Sequence, residues 1–257
     1  MLKILDLFCG AGGCSVGYAR AGFECVGVDF IDQPNYPFKF IKRGALEALA
    51  DPEFIAQFDF IHASPPCQAY CVATPTKIKA TLPDLIEPTQ RLLKATGKPY
   101  IIENVEGAAK AGLKHSIILA GTMFPELKVI RKRLFELSPD LAPFFEQPHI
   151  PKPKGSVKNG DYISVAGNGA PGTGKKYHKP SQIPVFLGKL KGYQNLTLFE
   201  NRALAMQIDW IEKGNAKEKM KQLVNAIPPP YTQWLGVRIM QVLTGTHVSE
   251  KKQLALF

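Results

Sequence analysis

The feature that most constrains this chain is an alternation in its first half. A short apolar run breaks off at glycine, proline or an acid, and a helical stretch follows. Lys3 to Phe8 runs into glycines, Glu24 to Phe30 (ECVGVDF) forms the next run, and the FDFIHA run, Phe58 to Ala63, ends at Pro65 and Pro66. Pro99 to Glu103 stops before Asn104, and Ser116 to Gly121 and Arg133 to Leu137 add two further strand candidates. Apolar runs of this length read as buried strands. Ser15 to Ala21, stopped by Gly22, and a stretch around Leu85 to Ala95 read as helices between them. This alternation predicts an α/β fold with a mostly parallel sheet covered on both faces.

The pattern breaks after about Leu137. Positions 139 to 195 are rich in Pro, Gly and Lys, with only short strand-like pieces such as Tyr162 to Ala166, so a small loop-rich lobe is expected. Helical signals return at Asn201 to Ile208 and, after Pro228 to Pro230, from Tyr231 to about Leu243. The tail SEKKQLALF is expected to fray. A length of 257 residues suits one large domain, or one domain plus a small lobe.

With 45% apolar and 21% charged residues, a disordered chain, a collagen-like fibre and a coiled coil are excluded. No apolar stretch approaches the ~20 residues of a membrane span. The opening MLKILDLFCG lacks the apolar core and cleavage site of a signal peptide, so an intracellular protein is expected. Thirty-two Lys plus Arg against 22 Asp plus Glu leave a formal charge of +10, which favours a polyanionic partner such as nucleic acid. Between positions 150 and 190 the sole acid is Asp161, beside Lys152, Lys154, Lys158, Lys175, Lys176, Lys179 and Lys189. All five cysteines precede position 72 and are expected as reduced thiols. The spacings of Cys9 with Cys14 and of Cys67 with Cys71 do not match a zinc-binding pair, so no metal is expected.

Four constellations carry chemistry. Asp6-Leu7-Phe8-Cys9-Gly10-Ala11-Gly12-Gly13 places glycines directly after a strand, where the backbone turns tightly and approaches a ligand. Asp29 closes the next strand, where a carboxylate accepts from ribose hydroxyls, so a nucleoside-containing cofactor is expected. Ser64-Pro65-Pro66-Cys67-Gln68 holds a thiol at the carboxyl edge of the sheet in a proline-stiffened loop. Such a thiol becomes a useful nucleophile when dipoles or cations lower its pKa. Glu103-Asn104-Val105 sets an acid at the same edge, and Arg131-Lys132-Arg133 offers guanidinium groups for a carbonyl oxygen or a carboxylate. A near match to a phosphate loop, Gly169 to Lys176, lacks the magnesium-binding hydroxyl and a following helix, which argues against a triphosphatase.

In this order the motifs resemble those of the DNA cytosine-5 methyltransferases, of the compact phage and bacterial type. DLFCGAGG resembles their cofactor loop, PPCQ their catalytic loop, ENV their base-binding acid and RKR their paired arginines. Arg202 with Ala205 to Trp210, and Asn225-Ala226-Ile227-Pro228-Pro229, resemble their late motifs. The resemblance implies a Rossmann-like S-adenosylmethionine-dependent fold. Residues 1–148, completed by 219–257, would form the catalytic and cofactor-binding domain, and 149–218 a small target-recognition lobe. It implies Cys67, Glu103, Arg131 and Arg133 as catalytic residues. Phe8, Gly10, Ala11, Gly12, Gly13, Asp29, Phe30, Pro66 and Asn225 would hold S-adenosylmethionine. The partner would be double-stranded DNA, met by a monomer in the cytoplasm, with the target base flipped out of the stack.

The chain departs from the family at Gly44, where an acid for the adenine amine is usual and Glu47 is the nearby substitute, and at Cys71, Val129 and Val224. Asn159, Asn168, His178 and Gln182 are candidate base readers in the recognition lobe. Two rivals remain: the same chemistry on RNA, and a catalytically dead DNA-binding relative. The absence of a Cys-Phe-Thr sequence and the intact Cys67, Glu103 and Arg133 disfavour them.

Overall fold

Seven strands form one sheet: β1 (Lys3–Leu7), β2 (Glu24–Asp29), β3 (Lys39–Lys42), β4 (Phe60–Ala63), β5 (Tyr100–Asn104), β6 (Ser116–Ala120) and β7 (Lys132–Leu137). Their spatial order is β3-β2-β1-β4-β5-β7-β6. The pairs from β3 to β5 are parallel, and β7 runs antiparallel between β5 and β6. The helices are α1 (Gly13–Arg20), α2 (Ala45–Leu49), α3 (Pro52–Ile55), α4 (Ile86–Thr96), α5 (Leu198–Met206), α6 (Ala216–Asn225) and α7 (Pro229–Leu243). This computed structural model describes residues 1–70, 77, 81–165, 190–192 and 195–246.

The strands read as continuous apolar runs because both faces are covered. Leu5, Leu7, Val28, Ile61 and Ile102 point to one face and pack with Leu49 of α2, Ile55 of α3 and Leu93 of α4. Ile4, Phe60, Ile101 and Phe135 point to the other and pack with Tyr18 of α1 and with Tyr231 and Leu235 of α7. The C-terminal helix thus returns to the first one, and Thr232 Oγ1 donates to the Cys14 carbonyl at 2.9 Å. That covered face positions the site.

All six strands and four helices expected from the sequence form, with ends within three residues of the expected ones; the exceptions are elements whose burial is carried by too few side chains. Tyr162 to Val165 pairs only through a single parallel bridge, Val129 to Ile163, and Ala166 lies outside the described residues. The edge strand β3 has charged ends and half-buried centres, so no apolar run announced it. Helix α6 buries only Leu223, and its Asn215 cap accepts from Lys217 and Glu218 backbone N–H. The link from β2 to β3 holds no helix. Instead Tyr36 fills the sheet face, and its ring lies where a Cβ on Gly27 would come within 2.3 Å, so only glycine fits there.

Residues expected in the 149–218 lobe also join the main core. Leu190, Ala203, Ala205, Met206, Ile208 and Ile211 belong to the apolar cluster on the α1 face. The near-phosphate loop 169–176, Cys71, Asn168, His178, Gln182, Lys175, Lys176, Lys179, Lys189 and the tail 249–257 lie outside the described residues.

Candidate functional site

The chain leaves β1 through left-handed backbone at Phe8 (φ +59°), Gly10 (φ +50°) and Gly12 (φ +86°). A side chain at Phe8 in that region is strained, and such strain gathers at ligand sites. Asp29, at the end of β2, steadies the turn: its carboxylate accepts from the Gly10 and Ile31 backbone N–H, each at 3.1 Å. A carboxylate has about four acceptor positions, so half of Asp29 remains open to a diol. Phe30 beside it is 65% exposed, and a Cβ on Gly10 would meet nothing within 4 Å. The Ile227 carbonyl packs against Gly13, which brings the exposed Asn225 at the end of α6 toward the same loop. Trp210 Nε1 donates to the Ala11 carbonyl at 2.7 Å. Backbone turns, a half-free carboxylate and an exposed ring fit a nucleoside cofactor.

Strand register builds a second feature on the α1 face. Asp6 of β1 pairs with His62 of β4, and His62 pairs with Ile101 of β5. Two residues further along each strand, at constant face, Ser64 and Glu103 come into line. Glu103 pairs with Phe135 of β7, so Arg133, two residues along, is its diagonal neighbour on the same face. Asp6, His62, Ser64, Glu103 and Arg133 therefore form one polar row at the sheet edge. The first two are 0% exposed and Glu103 is 6% exposed.

Burial sets the protonation of this row. It pushes Asp6 up to about 7, against the Ser15 hydroxyl that donates to its carboxylate at 2.6 Å. It pushes His62 down to about 3, which keeps the ring neutral. It raises Glu103 too, opposed by Arg133, Arg131 and the Ser64 hydroxyl. Arg133 Nε lies 2.9 Å from Glu103 Oε1, but that oxygen receives no aligned hydrogen bond, so the contact is ionic.

The proline loop is tied to this row. Asn104 Nδ2 donates to the Pro65 carbonyl at 2.9 Å, while its Oδ1 accepts the Val105 N–H. Cys67 is half-buried, and its carbonyl accepts from Tyr70 N–H in a tight turn. Cys67 and Arg131 are close enough for their charges to interact. Arg131 is buried. Its guanidinium donates to the Val224 carbonyl at 2.9 Å, and its own carbonyl accepts from the Tyr231 hydroxyl. Burial and then Arg133 push Arg131 down to about 9, still cationic at neutral pH.

Cys67, Glu103, Arg131 and Arg133 thus gather at one end of the sheet, and Phe8, Gly10, Ala11, Gly12, Gly13, Asp29, Phe30 and Asn225 gather on the adjoining strands. Pro66 is half-buried in the loop between the two groups. Sequence reasoning missed Tyr36, His62 and Tyr231. His62 sat in a quoted strand, and its period-two phase with Phe60 was the available signal. It also missed Asn35, which accepts from Glu212 and Lys213 N–H and donates to Gln222 Oε1 at 2.8 Å, locking the β2–β3 link to the C-terminal part.

Residues 2–121 match the family model described as C-5 cytosine-specific DNA methylase. Two similar curated proteins are Type II methyltransferases. M.FnuDI of Fusobacterium nucleatum is 34% identical over 115 residues, which cover 41% of this chain and 33% of that protein. M.NgoPII of Neisseria gonorrhoeae is 30% identical over 115 residues, 41% of this chain and 34% of that protein. The match thus spans about a third of the length of these relatives. Among solved structures, a DNA modification methyltransferase encoded within an E. coli prophage superposes with a TM-score of 0.61 at 17% identity, over 95% of this chain and 100% of that one. The S. pombe Dnmt2 methyltransferase gives 0.53 at 13% identity, over 94% and 99%. At these identities the superpositions establish the Rossmann-like fold that these proteins share.

Proposed function

We propose, on the premise that this chain belongs through residues 2–121 to the C-5 cytosine-specific DNA methylase family, that it methylates cytosine C5 in a short DNA site. The observation that carries the reading is the row Ser64, Glu103 and Arg133 with the Cys67 loop tied to it through Asn104. It unites a thiol, a desolvated acid and two guanidinium groups, the set that addition to a cytosine ring requires.

S-adenosylmethionine, when bound, supplies an electrophilic methyl group for C5. Asp29 would accept from its ribose hydroxyls, Phe30 would cover its adenine, and Phe8, Gly10 to Gly13, Pro66 and Asn225 would line the rest. Glu47 reaches the space beside Gly44, with Oε2 3.7 Å from where a Cβ would stand, and is the acid available to the adenine amine.

Cys67 Sγ, as thiolate, forms a bond to C6 of a flipped-out cytosine, and the displaced electron pair moves toward C5. Arg131 favours that thiolate. Glu103 holds the N3 and exocyclic amine edge and stabilises the protonated ring during attack. Arg133, with Arg131 behind it, binds the O2 side. After methyl transfer a base removes the C5 proton, the ring regains its double bond and the Cys67–C6 bond breaks. Residues 149–218 are the target-recognition segment, anchored by 198–211 in the core and presenting Lys152, Lys154 and Lys158 to phosphates.

The test is deamination-based sequencing of plasmid DNA from cells expressing the chain, beside a Cys67→Ala control. Methyl-cytosine in one short motif, absent from the control, is the expected result. Soluble protein with no modified cytosine would overturn the DNA reading.

A further inference from the structure

Tyr231 is fully buried in the first turn of α7, yet the chemistry above gives it no task. Pro228, Pro229 and Pro230 precede it, and their fixed φ sets where its side chain leaves the helix. Its ring stacks on Phe124 with centroids 5.2 Å apart and meets Phe135 edge-on at 6.4 Å. Phe135 is the cross-strand partner of Glu103. The Tyr231 hydroxyl donates to the Arg131 carbonyl, which also accepts from Gly121 N–H at 3.3 Å.

Packing accounts for the ring but not for the hydroxyl. A phenylalanine would fill the same stack, and Gly121 alone would satisfy the Arg131 carbonyl. The hydroxyl adds a second tether at one backbone point, the residue that leads into β7. The other end of Arg131 is held from the same direction, since its guanidinium donates to the Val224 carbonyl at 2.9 Å. Val224, a departure from the family pattern, thus contributes a backbone acceptor rather than a side chain.

The stretch 224–232 that grips Arg131 also packs on the cofactor loop. A Cβ on Gly13 would lie 2.2 Å from the Ile227 carbonyl, and Thr232 Oγ1 donates to the Cys14 carbonyl at 2.9 Å. Arg133 follows Arg131 by two residues, and its Nε lies 2.9 Å from Glu103 Oε1. A shift of the Arg131 backbone therefore carries Arg133 away from the acid.

We propose that Tyr231 is a positioning residue for the paired arginines: its hydroxyl pins the Arg131 carbonyl at the entry to β7, which sets Arg133 against Glu103 and ties both arginines to the segment that supports the cofactor loop. The proposal rests on the reading of Arg131 and Arg133 as the groups that bind the O2 side of the cytosine.

Tyr231→Phe removes the hydroxyl and keeps the ring. Its thermal unfolding is expected near wild type, while Tyr231→Leu, which loses the stack as well, unfolds at lower temperature. In Tyr231→Phe kcat falls roughly tenfold, because small misplacements of catalytic groups are costly. The KM values for DNA and for S-adenosylmethionine stay within about twofold, since the Ile227 and Thr232 contacts are untouched. Combined with Arg133→Lys, the two losses in kcat multiply to less than their product, as they do when two residues act on one contact. A second readout needs no methylation: hydrogen exchange of arginine Nε–H groups in nitrogen-labelled protein, assigned by loss of signal in Arg131→Lys and Arg133→Lys. Both groups exchange faster in Tyr231→Phe, whereas Arg43, paired with Glu47 and Asp51 beside α2, is unchanged.

Either a wild-type kcat or unmoved arginine exchange in Tyr231→Phe overturns the proposal. So does a kcat loss that multiplies fully with that of Arg133→Lys, since the two residues would then act independently. A wild-type chain that methylates no DNA overturns the reading of the arginines instead, while their exchange still reports on the positioning.

Discussion

The polar row at the sheet edge and the basic segment 149–165 are built on opposite principles. In the row, Asp6, His62 and Glu103 are buried, and each is tied to a partner of definite kind: Ser15, Ser64 and Arg133. In the segment, Lys152, Lys154, Lys158 and Asn159 are exposed, and its backbone ties to the other described residues are the Ile163 pairing with Lys128 and Val129 and the Lys191 N–H that donates to the Gly160 carbonyl. The first holds groups in fixed positions with perturbed charge states, as chemistry on a small ring demands. The second offers charge without fixed geometry, which suffices for phosphates. Damage to the row should therefore appear in turnover and folding, and damage to the segment in DNA affinity.

The sharpest way to break this contrast is Glu103→Gln. It removes the acid but not the shape, and kcat should fall roughly 100-fold to 1,000-fold. DNA affinity by fluorescence anisotropy should be nearly unchanged. A small loss of turnover would show that the row is structural only.

Arg131→Met tests whether the row is also a folding device. It leaves the Val224 carbonyl unpaired and removes one of two cations beside buried Glu103. A loss of about 3–5 kcal/mol in urea unfolding is expected, typical of breaking a buried charge pair.

Asp6 and His62 are neighbours with opposite pH signatures. The Asp6 pKa is raised to about 7, so its stabilising contribution is complete below about 4 and is lost as pH rises through about 7. The His62 pKa is lowered to about 3, so its contribution is complete above about 6.5 and is lost as pH falls through about 3. Asp6→Asn should gain stability relative to wild type between about pH 4 and 7.5, by up to about 4 kcal/mol. Parallel pH profiles for the two proteins would refute a protonated buried Asp6.

The smallest effect is expected from Lys152→Ala, Lys154→Ala and Lys158→Ala combined. The log–log slope of DNA affinity against salt should flatten by about 2–3. The loss should fall on KM and leave thermal unfolding where it is. A drop in kcat equal to that of Glu103→Gln would erase the distinction between the two regions.

The sheet and its motifs were legible because strands buried on both faces announce themselves as apolar runs, and glycine, proline and acid turns mark where they end. Helix α6 and strand β3 were not, since each buries too little for a periodic signal. Tyr36 was invisible for a different reason. It takes the place of a connecting helix, and its match to Gly27 exists only once β2 and its following link are folded.

Sequence alone determined the order of strands and turns, the identity of the thiol, the acid and the arginines, and the positive charge of the chain. These are local properties, readable from residue type and spacing. Tertiary structure alone decided which of them meet. Strand order set β4 beside β5 and β7 beside β5, so register lined Ser64, Glu103 and Arg133 along one face. It also set an unremarked histidine between Tyr18 of α1 and Ser64. Pairing between strands far apart in the chain depends on the fold's topology, which no local pattern encodes.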